Sequence, residues 1–147
     1  MNRGALRILV VDDFKPFRQW VCSKLRKESR FVVAGEAADG LEAIQKAQEL
    51  TPDLILLDLG LPYMDGIETQ RQLCHVLPAA KVLFVSECMD QDIVQLGLLD
   101  GAAGYVIKRD VSQDLLPAID TIFRGVVFVS GRISQTLETA SAKLNGS

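Results

Sequence analysis

Four charged side chains follow short apolar runs of the sequence, and their types suit chemistry on phosphate. Asp12 and Asp13 come after Ile-Leu-Val-Val, Asp58 follows Leu-Ile-Leu-Leu, and Lys108 follows Tyr-Val-Ile. Buried parallel strands deliver their functional side chains at their carboxyl ends, so we expect these four residues to meet in one crevice. The pattern predicts a site for a divalent cation and a phosphoryl group.

Electrostatic repulsion decides what else such a site must contain. Two unit charges about 4 Å apart interact by about 4 kcal/mol at an effective dielectric constant of about 20. A single lysine cannot offset the repulsion among three carboxylates, so either a divalent cation binds or one carboxyl group stays protonated. Oxygen ligands in a shallow, partly solvated crevice suit Mg²⁺.

Once the charge is neutralised, Asp58 is a candidate nucleophile toward a phosphoryl donor, and the product would be an aspartyl phosphate. Such a transfer depends mainly on positioning and on stabilisation of the phosphoryl oxygens. Ser86 ends the run Lys-Val-Leu-Phe-Val-Ser and is placed to donate its hydroxyl to one of those oxygens. Each residue alone would be interpreted as a solvated loop residue, but five at successive strand ends favour a site.

Apolar runs alternate with amphipathic segments along the chain, which predicts five strands and five helices. The predicted strands are residues 7–11, 31–37, 54–58, 81–86 and 104–108, and the predicted helices are residues 14–27, 40–50, 66–77, 90–99 and 112–123. Apolar stripes at helical spacing support the first two helices. These stripes are Phe14, Phe17, Val21 and Leu25, and Leu41, Ile44, Ala47 and Leu50.

Because the strands are apolar on both faces, we expect an α/β fold with a parallel sheet between two helix layers. The flavodoxin-like, doubly wound (βα)5 order 2-1-3-4-5 fits five strands best, and its switch point lies between strands one and three. Residues 1–128 are predicted to form one domain. Residues 129–147 are predicted to form a tail or linker with a short helix, capped by Ser130 or Ser134.

Composition excludes several classes of protein. Of the 147 residues, 48% are apolar and 24% are charged, unlike a disordered chain. The net charge of −3 argues against nonspecific nucleic-acid binding. No apolar run approaches the roughly 18 residues of a membrane span, and the start lacks a signal-peptide cleavage site. Three scattered cysteines indicate reduced thiols in a cytoplasmic protein.

Four motifs together resemble the receiver domain of bacterial two-component response regulators, the CheY-like family. They are LVVDD at residues 9–13, DLILLDLGLPYMDGIE at 53–68, VLFVS at 82–86 and DGAAGYVIK at 100–108. They stand in the family order and cover roughly residues 6–125. The last motif, with the segment after Gly125, is most similar to the NarL/FixJ subgroup.

The resemblance implies a role for each residue of the predicted site. Asp58 would be the phosphoacceptor, and Lys108 would bind a phosphoryl oxygen. Asp13, Asp58 and the backbone carbonyl of Gly60 would bind Mg²⁺ directly, and Asp12 would act through a bound water. The protein would be no enzyme beyond catalysing its own phosphorylation and dephosphorylation.

The resemblance also implies a switch and its partners. Ser86 and Tyr105 would be the switch pair, acting on a face formed by helix four, strand five and helix five. The single histidine, His75, has no partner for a catalytic role, and no segment resembles an ATP-binding loop. A sensor histidine kinase, a phosphotransfer protein or a small acyl phosphate would therefore be the donor. A homodimer is possible, no membrane is involved, and DNA would be bound only through a domain absent from this chain.

Three alternatives stay open at this point. A haloacid-dehalogenase-type phosphohydrolase also uses an aspartate nucleophile, Mg²⁺ and a lysine, but it expects an Asp-x-Asp pattern after strand one and a cap domain. About 20 residues follow Gly125, fewer than the roughly 40 at which small domains begin to stand alone. The chain is therefore either part of a longer transcription regulator or, as the second alternative, a stand-alone regulator. The third alternative is a binding module that works without phosphorylation.

Overall fold

The computed structural model describes residues 4–133 as a parallel sheet between two layers of helices. The strands are β1 (Leu6–Val11), β2 (Phe31–Ala37), β3 (Leu54–Leu57), β4 (Lys81–Ser86), β5 (Gly104–Ile107) and β6 (Phe128–Val129). The helices are α1 (Lys15–Arg26), α2 (Gly40–Leu50), α3 (Gly66–Val76), α4 (Gln91–Leu99) and α5 (Val111–Ile122). A 3-10 turn, Lys108–Asp110, joins β5 to α5.

The strand order is β2-β1-β3-β4-β5-β6, so the predicted α/β fold and the order 2-1-3-4-5 are confirmed, and one strand is added. No strand was predicted after the one at residues 104–108. Instead, Phe128 and Val129 pair in parallel with Gly104 and Tyr105. A Cβ atom on Gly104 would lie 2.6 Å from the Phe128 carbonyl oxygen, so glycine at that position permits the close approach.

Successive strand residues face opposite helix layers, which divides the core into two clusters. On one face, Leu9 and Val11 pack in a cluster with residues of α2, α3 and α4. On the other face, Ile8 and Val10 pack in a cluster with residues of α1 and α5. Both faces of the central strands are therefore dry, and polar side chains collect at the strand ends.

Three helices begin at aspartates that cap their first turns. The side chains of Asp39, Asp65 and Asp90 accept hydrogen bonds from backbone N–H groups at the starts of α2, α3 and α4. Helix α1 begins after Phe14, which offers no side-chain cap. The Asp12 carboxylate instead accepts the Phe14 N–H at 2.8 Å, so the start of α1 is tied to the end of β1.

The apolar stripes predicted on the first two helices extend beyond the buried core. Phe14 and Leu41 belong to these stripes, but they are 61% and 60% exposed. Phe14 precedes the first residue of α1, and Leu41 is the second residue of α2. In the tail, residues 131–133 are helical, and the remainder of the predicted short helix lies outside the described residues. The boundary predicted after residue 128 falls inside β6.

Between residues 4 and 133, none of the helices has the length and apolar character needed to cross a bilayer.

Candidate functional site

The ends of β1 and β3 bring three aspartates together. These strands are neighbours, with Val11 paired to Leu57, so the residues that follow them share one crevice. Carboxylate oxygens of Asp12, Asp13 and Asp58 all lie within 4.8 Å of one another. Asp12 and Asp58 are buried, while Asp13 is exposed at the mouth.

Lys108 enters the cluster from the 3-10 turn after β5. Its Nζ lies 2.8 Å from Asp12 Oδ2 and 3.3 Å from Asp58 Oδ2, with only 14% of the side chain exposed. Burial lowers the pKa of Lys108, but the hydrogen bond to Asp12 and the charges of the two carboxylates outweigh it, so its pKa is raised. The ammonium group also lies 4.5 Å from the Phe17 ring centroid, within cation–π range.

A single ammonium group does not neutralise this cluster. The pKa of Asp12 is raised, chiefly because burial disfavours the carboxylate and further because Asp58 is close. Hydrogen bonds from Lys108 and the Phe14 amide oppose that effect without reversing it. Three clustered carboxylates with excess negative charge form a donor set of hard oxygens, which fits a divalent cation such as Mg²⁺. The residues that could hold the ion are Asp12, Asp13 and Asp58.

Gly60 lies beside the phosphoacceptor candidate, in the loop after β3. Its backbone N–H donates to Asp58 Oδ1 at 3.3 Å. The same loop is held by Gly66, whose N–H donates to the Leu59 carbonyl at 2.9 Å. A Cβ atom on Gly66 would lie 2.4 Å from the carbonyl oxygen of Asp58, so this close packing requires glycine. Gly66 thus allows the loop to fold tightly around Asp58.

Cys88 connects Ser86 to Tyr105. Ser86 is buried at the end of β4, and its Oγ accepts the Cys88 N–H at 3.2 Å. The Tyr105 hydroxyl donates to the Cys88 carbonyl at 2.7 Å, and its ring lies inside the core, 5.9 Å from the Phe84 ring. Burial raises the pKa of Tyr105 well above its usual range. Sequence reasoning missed this link, because no side-chain pattern signals a bond to a backbone carbonyl.

An open cavity of about 970 Å³ contains much of the site. Asp13, Asp58, Ser86 and Lys108 line its polar end, and side chains of α3 and α4 line the rest. The apolar part of that wall comprises Ile67, Ile93 and Leu96. The cavity gives a phosphate-sized group direct access to Asp58.

Aromatic residues of α1 lie behind Lys108, and sequence reasoning also missed them. The Phe17 and Trp20 rings stack with centroids 6.1 Å apart, and Lys24 Nζ lies 5.4 Å from the Trp20 ring. The spacing of three and four residues places these side chains on one side of the helix. That spacing was the available signal, but the proximity of Phe17 to Lys108 depends on the tertiary packing of α1.

Comparison with known proteins identifies the class. Residues 8–120 match the response regulator receiver domain family, and the chain belongs to that family. Response regulators are signalling proteins rather than enzymes acting on an external substrate. Membership of this family therefore argues against the phosphohydrolase alternative.

The relatives are response regulators of the LuxR/NarL type. The transcriptional regulatory protein DegU of Brevibacillus brevis is 30% identical over 93% of this chain and 58% of its own length. The response regulator GacA of Pseudomonas viridiflava is 35% identical over 92% of this chain and 64% of its own length. For the response regulator protein VraR of Staphylococcus aureus, the identity is 38% over 82% of this chain and 57% of its own length. The chain thus spans about three fifths of these relatives.

Solved structures agree with this subgroup. A two-component response regulator of the LuxR family from Aurantimonas sp. SI85-9A1 is similar with a TM-score of 0.90 and 30% identity, covering 95% of this chain and 99% of that one. The signal receiver domain of the response regulator NarL from Mycobacterium tuberculosis is similar with a TM-score of 0.74 and 31% identity, covering 79% and 94%.

Proposed function

We propose that this receiver domain is a phosphorylation-controlled switch in which Asp58 accepts a phosphoryl group with the help of Mg²⁺. The observation that supports this most directly is the contact of Lys108 Nζ with both Asp58 and Asp12 at the end of an open cavity. The donor is a partner histidine kinase, a phosphotransfer protein or a small acyl phosphate.

In the reaction, a carboxylate oxygen of Asp58 attacks phosphorus, and the bond from phosphorus to the donor's nitrogen or oxygen breaks. The electron pair of that bond leaves with the donor. Asp12, Asp13 and Asp58, with the Gly60 carbonyl, would hold Mg²⁺, Asp12 acting through a water. When bound, the cation supplies positive charge to the phosphoryl oxygens. Lys108 is already placed beside Asp58 to neutralise another of these oxygens.

The switch step begins at Ser86. In the structure, its Oγ accepts a hydrogen bond from Cys88, and the Cys88 carbonyl accepts one from Tyr105. A new bond from the Ser86 hydroxyl to the phosphoryl group would draw residues 86–88 toward Asp58. Tyr105 would follow its partner, and the face formed by α4, β5 and α5 would change its packing.

The output is proposed from the relatives. DegU is a transcriptional regulatory protein, and this chain spans about three fifths of such proteins. We therefore propose that the switch controls transcription in the cytoplasm, with DNA bound by a domain absent from this chain and phosphorylation favouring a homodimer. A stand-alone regulator is the second candidate, since a receiver domain with a complete site needs no further domain to bind a partner protein.

Intact mass after incubation with acetyl phosphate tests the central step. We expect the wild-type chain to gain one phosphoryl group when Mg²⁺ is present, and Asp58→Asn to gain none. Asp53→Asn is the matched control, because Asp53 precedes the same strand at its other end and is exposed. It should be modified like the wild type.

A mass gain that persists in Asp58→Asn would place the modification elsewhere and overturn the proposal. No gain in the wild type, with Mg²⁺ shown to bind, would point instead to a binding module that works without phosphorylation.

A further inference from the structure

A short C-terminal segment, residues 128–133, closes the edge of the sheet beside the candidate site. The Phe128 N–H donates to the Ala103 carbonyl at 3.4 Å, and the Ser130 N–H donates to the Tyr105 carbonyl at 2.9 Å. Without this segment, β5 would be an edge strand with open backbone groups. The C-terminal segment therefore supports the strand that carries Tyr105 and leads into Lys108.

The Ser130 side chain extends this support where β6 ends. Ser130 is 0% exposed, and its Oγ accepts the Ile107 N–H at 3.0 Å while it donates to Asp114 Oδ2 at 2.7 Å. A serine hydroxyl has one proton, so donating it to the carboxylate leaves the lone pairs free to accept the amide. The hydroxyl thus replaces the backbone carbonyl that a longer β6 would have offered to Ile107.

Ile107 is the residue before Lys108, so its amide fixes the point from which the Lys108 side chain departs. Two further contacts hold the same turn from the C-terminal segment. Arg132 Nε pairs with Asp110 Oδ2 at 2.8 Å, and Ile133, 1% exposed, packs in the same core cluster as Tyr105 and Ile107. The backbone around Lys108 is therefore held by a segment more than 20 residues away in sequence.

We propose that Ser130 is a positioning residue for Lys108, and that docking of the C-terminal segment and occupation of the site by a phosphoryl group favour each other. The inference rests on the proposed function, because it concerns the same lysine. Thermodynamic linkage makes the effect reciprocal. If docking of the segment raises the affinity of the site by some factor, occupation of the site raises the docking equilibrium constant by the same factor.

Fluoroberyllate, an analogue of the phosphoryl group, tests the first half of this relation. Its affinity in the presence of Mg²⁺ is measured by the fluorine resonance of the bound anion. We expect Ser130→Ala, which removes the bridging hydroxyl, to bind it roughly fivefold or more weakly than the wild type. Gly104→Ala should act in the same direction, because its Cβ would collide with the Phe128 carbonyl and displace β6.

Two controls separate positioning from general loss of stability. Ser23→Ala makes the same chemical change at an exposed position of α1. Val21→Ala removes buried packing from α1 and leaves the Ser130 hydrogen bonds to Ile107 and Asp114 in place. Both should bind fluoroberyllate like the wild type. Equal weakening in Val21→Ala and Ser130→Ala would show that Ser130 acts only through stability and would overturn the inference.

Amide hydrogen exchange tests the reciprocal half. In the wild-type chain, saturating fluoroberyllate should slow exchange at the amides of Ile107, Phe128 and Ser130. The factor should equal the one by which Ser130→Ala weakens fluoroberyllate binding. Unchanged exchange at these amides in a chain that binds the anion would overturn the inference while leaving the proposed function intact. A wild-type chain that binds no fluoroberyllate and gains no phosphoryl group would overturn both.

Discussion

Lys108 contacts two carboxylates at once, and this double contact sets what its loss should do. With the lysine removed, Asp12 and Asp58 would face each other in a buried crevice without their nearest positive charge. The repulsion between the two carboxylates would be uncompensated, and under the proposed function the phosphoryl oxygens would lose a neutralising charge. The lysine is therefore expected to contribute both before the proposed reaction and during it.

Lys108→Ala should slow phosphorylation by acetyl phosphate about a hundredfold, the usual cost of removing one charge-stabilising donor. The rate is followed by intact mass against time at fixed Mg²⁺. Arg109→Ala is the matched control, because the neighbouring residue carries the same charge and is exposed. Equal losses in the two variants would show that net charge, rather than contact with Asp58, is what matters.

Cys22 gives stability a pH dependence in the alkaline range. Burial, aided by the charge of Glu36, raises the pKa of its thiol from 9.0 to about 11. Because folding raises this pKa, the contribution of the protonated thiol to the free energy of unfolding is fully present below pH 9.0. It is lost as the pH rises toward about 11. The loss from this thiol is at most about 1.4 kcal/mol per pH unit.

Urea unfolding of the wild type and of Cys22→Ala at a series of pH values measures this contribution. The variant should be less stable at neutral pH, because it leaves a cavity, but its stability should fall less steeply between pH 9 and 11. Parallel curves for the two proteins would contradict the assignment. The neighbouring Ser23 offers a comparison, since Ser23→Ala changes an exposed side chain with no thiol and should leave the slope of the wild type unchanged.

Much of the site's composition follows from residue type and strand ends. Asp12, Asp13, Asp58 and Lys108 each follow an apolar run, and parallel strands deliver such residues to one edge. The direct pairing of Lys108 with Asp12 does not follow from sequence, because it depends on the turn that begins at residue 108. The backbone partners of Ser86 and Tyr105 are likewise set by tertiary packing.

Among the secondary-structure elements, α2 ends with an unusual backbone conformation. Its C-terminal cap, Thr51, has φ 45° and ψ 60°, in the left-handed region that a β-branched residue rarely adopts. The cap N–H nevertheless donates to the Ala47 carbonyl, which closes the helix as glycine does elsewhere. The helix therefore ends at the right place at some cost in backbone strain.

Thr51→Gly should raise the free energy of unfolding by about 1 kcal/mol, because glycine adopts this conformation without strain. Urea denaturation measures the change. Thr121→Gly makes the same substitution inside α5, where it should lower stability by about 1 kcal/mol. A loss of stability in both variants would mean that the Thr51 side chain contributes more than its strain costs.

The elements themselves were largely predictable, with differences of one residue at most ends. The second helix and the strands at 31–37 and 81–86 agree at both ends. The sixth strand was not predictable, because two residues are too short a run to indicate a strand. Its pairing depends on the missing side chain of Gly104, far away in sequence. Phe14 and Leu41 show that a helical stripe can continue past the point where the helix faces the core.

For the molecule as a whole, part of the core comes from residues that follow α5 in the sequence, namely β6 and Ile133. A chain ending at Val126 would lose the cover of β5, leave the Ile107 amide without its Ser130 partner and remove buried Ile133. We expect its free energy of unfolding to be about 3 kcal/mol or more below that of a chain ending at Ile133.

Thermal and urea unfolding of the two truncated chains checks this expectation. The longer chain serves as the control, since it keeps every residue that the structure describes after α5. Indistinguishable midpoints would place the end of the cooperative unit before β6. A lower midpoint for the shorter chain would place the end of the cooperative unit after residue 126.

The aromatic stack on α1 also equips the molecule with an optical probe. Trp20 is the sole tryptophan of the chain, and the residue is 41% exposed. Its ring stacks on the Phe17 ring, whose centroid lies 4.5 Å from Lys108 Nζ. Three contacts therefore link the fluorophore to the carboxylate of Asp58, through Phe17 and Lys108. A rearrangement of Lys108 would alter the surroundings of the indole, so the emission of the unlabelled protein would report each change at the site in real time.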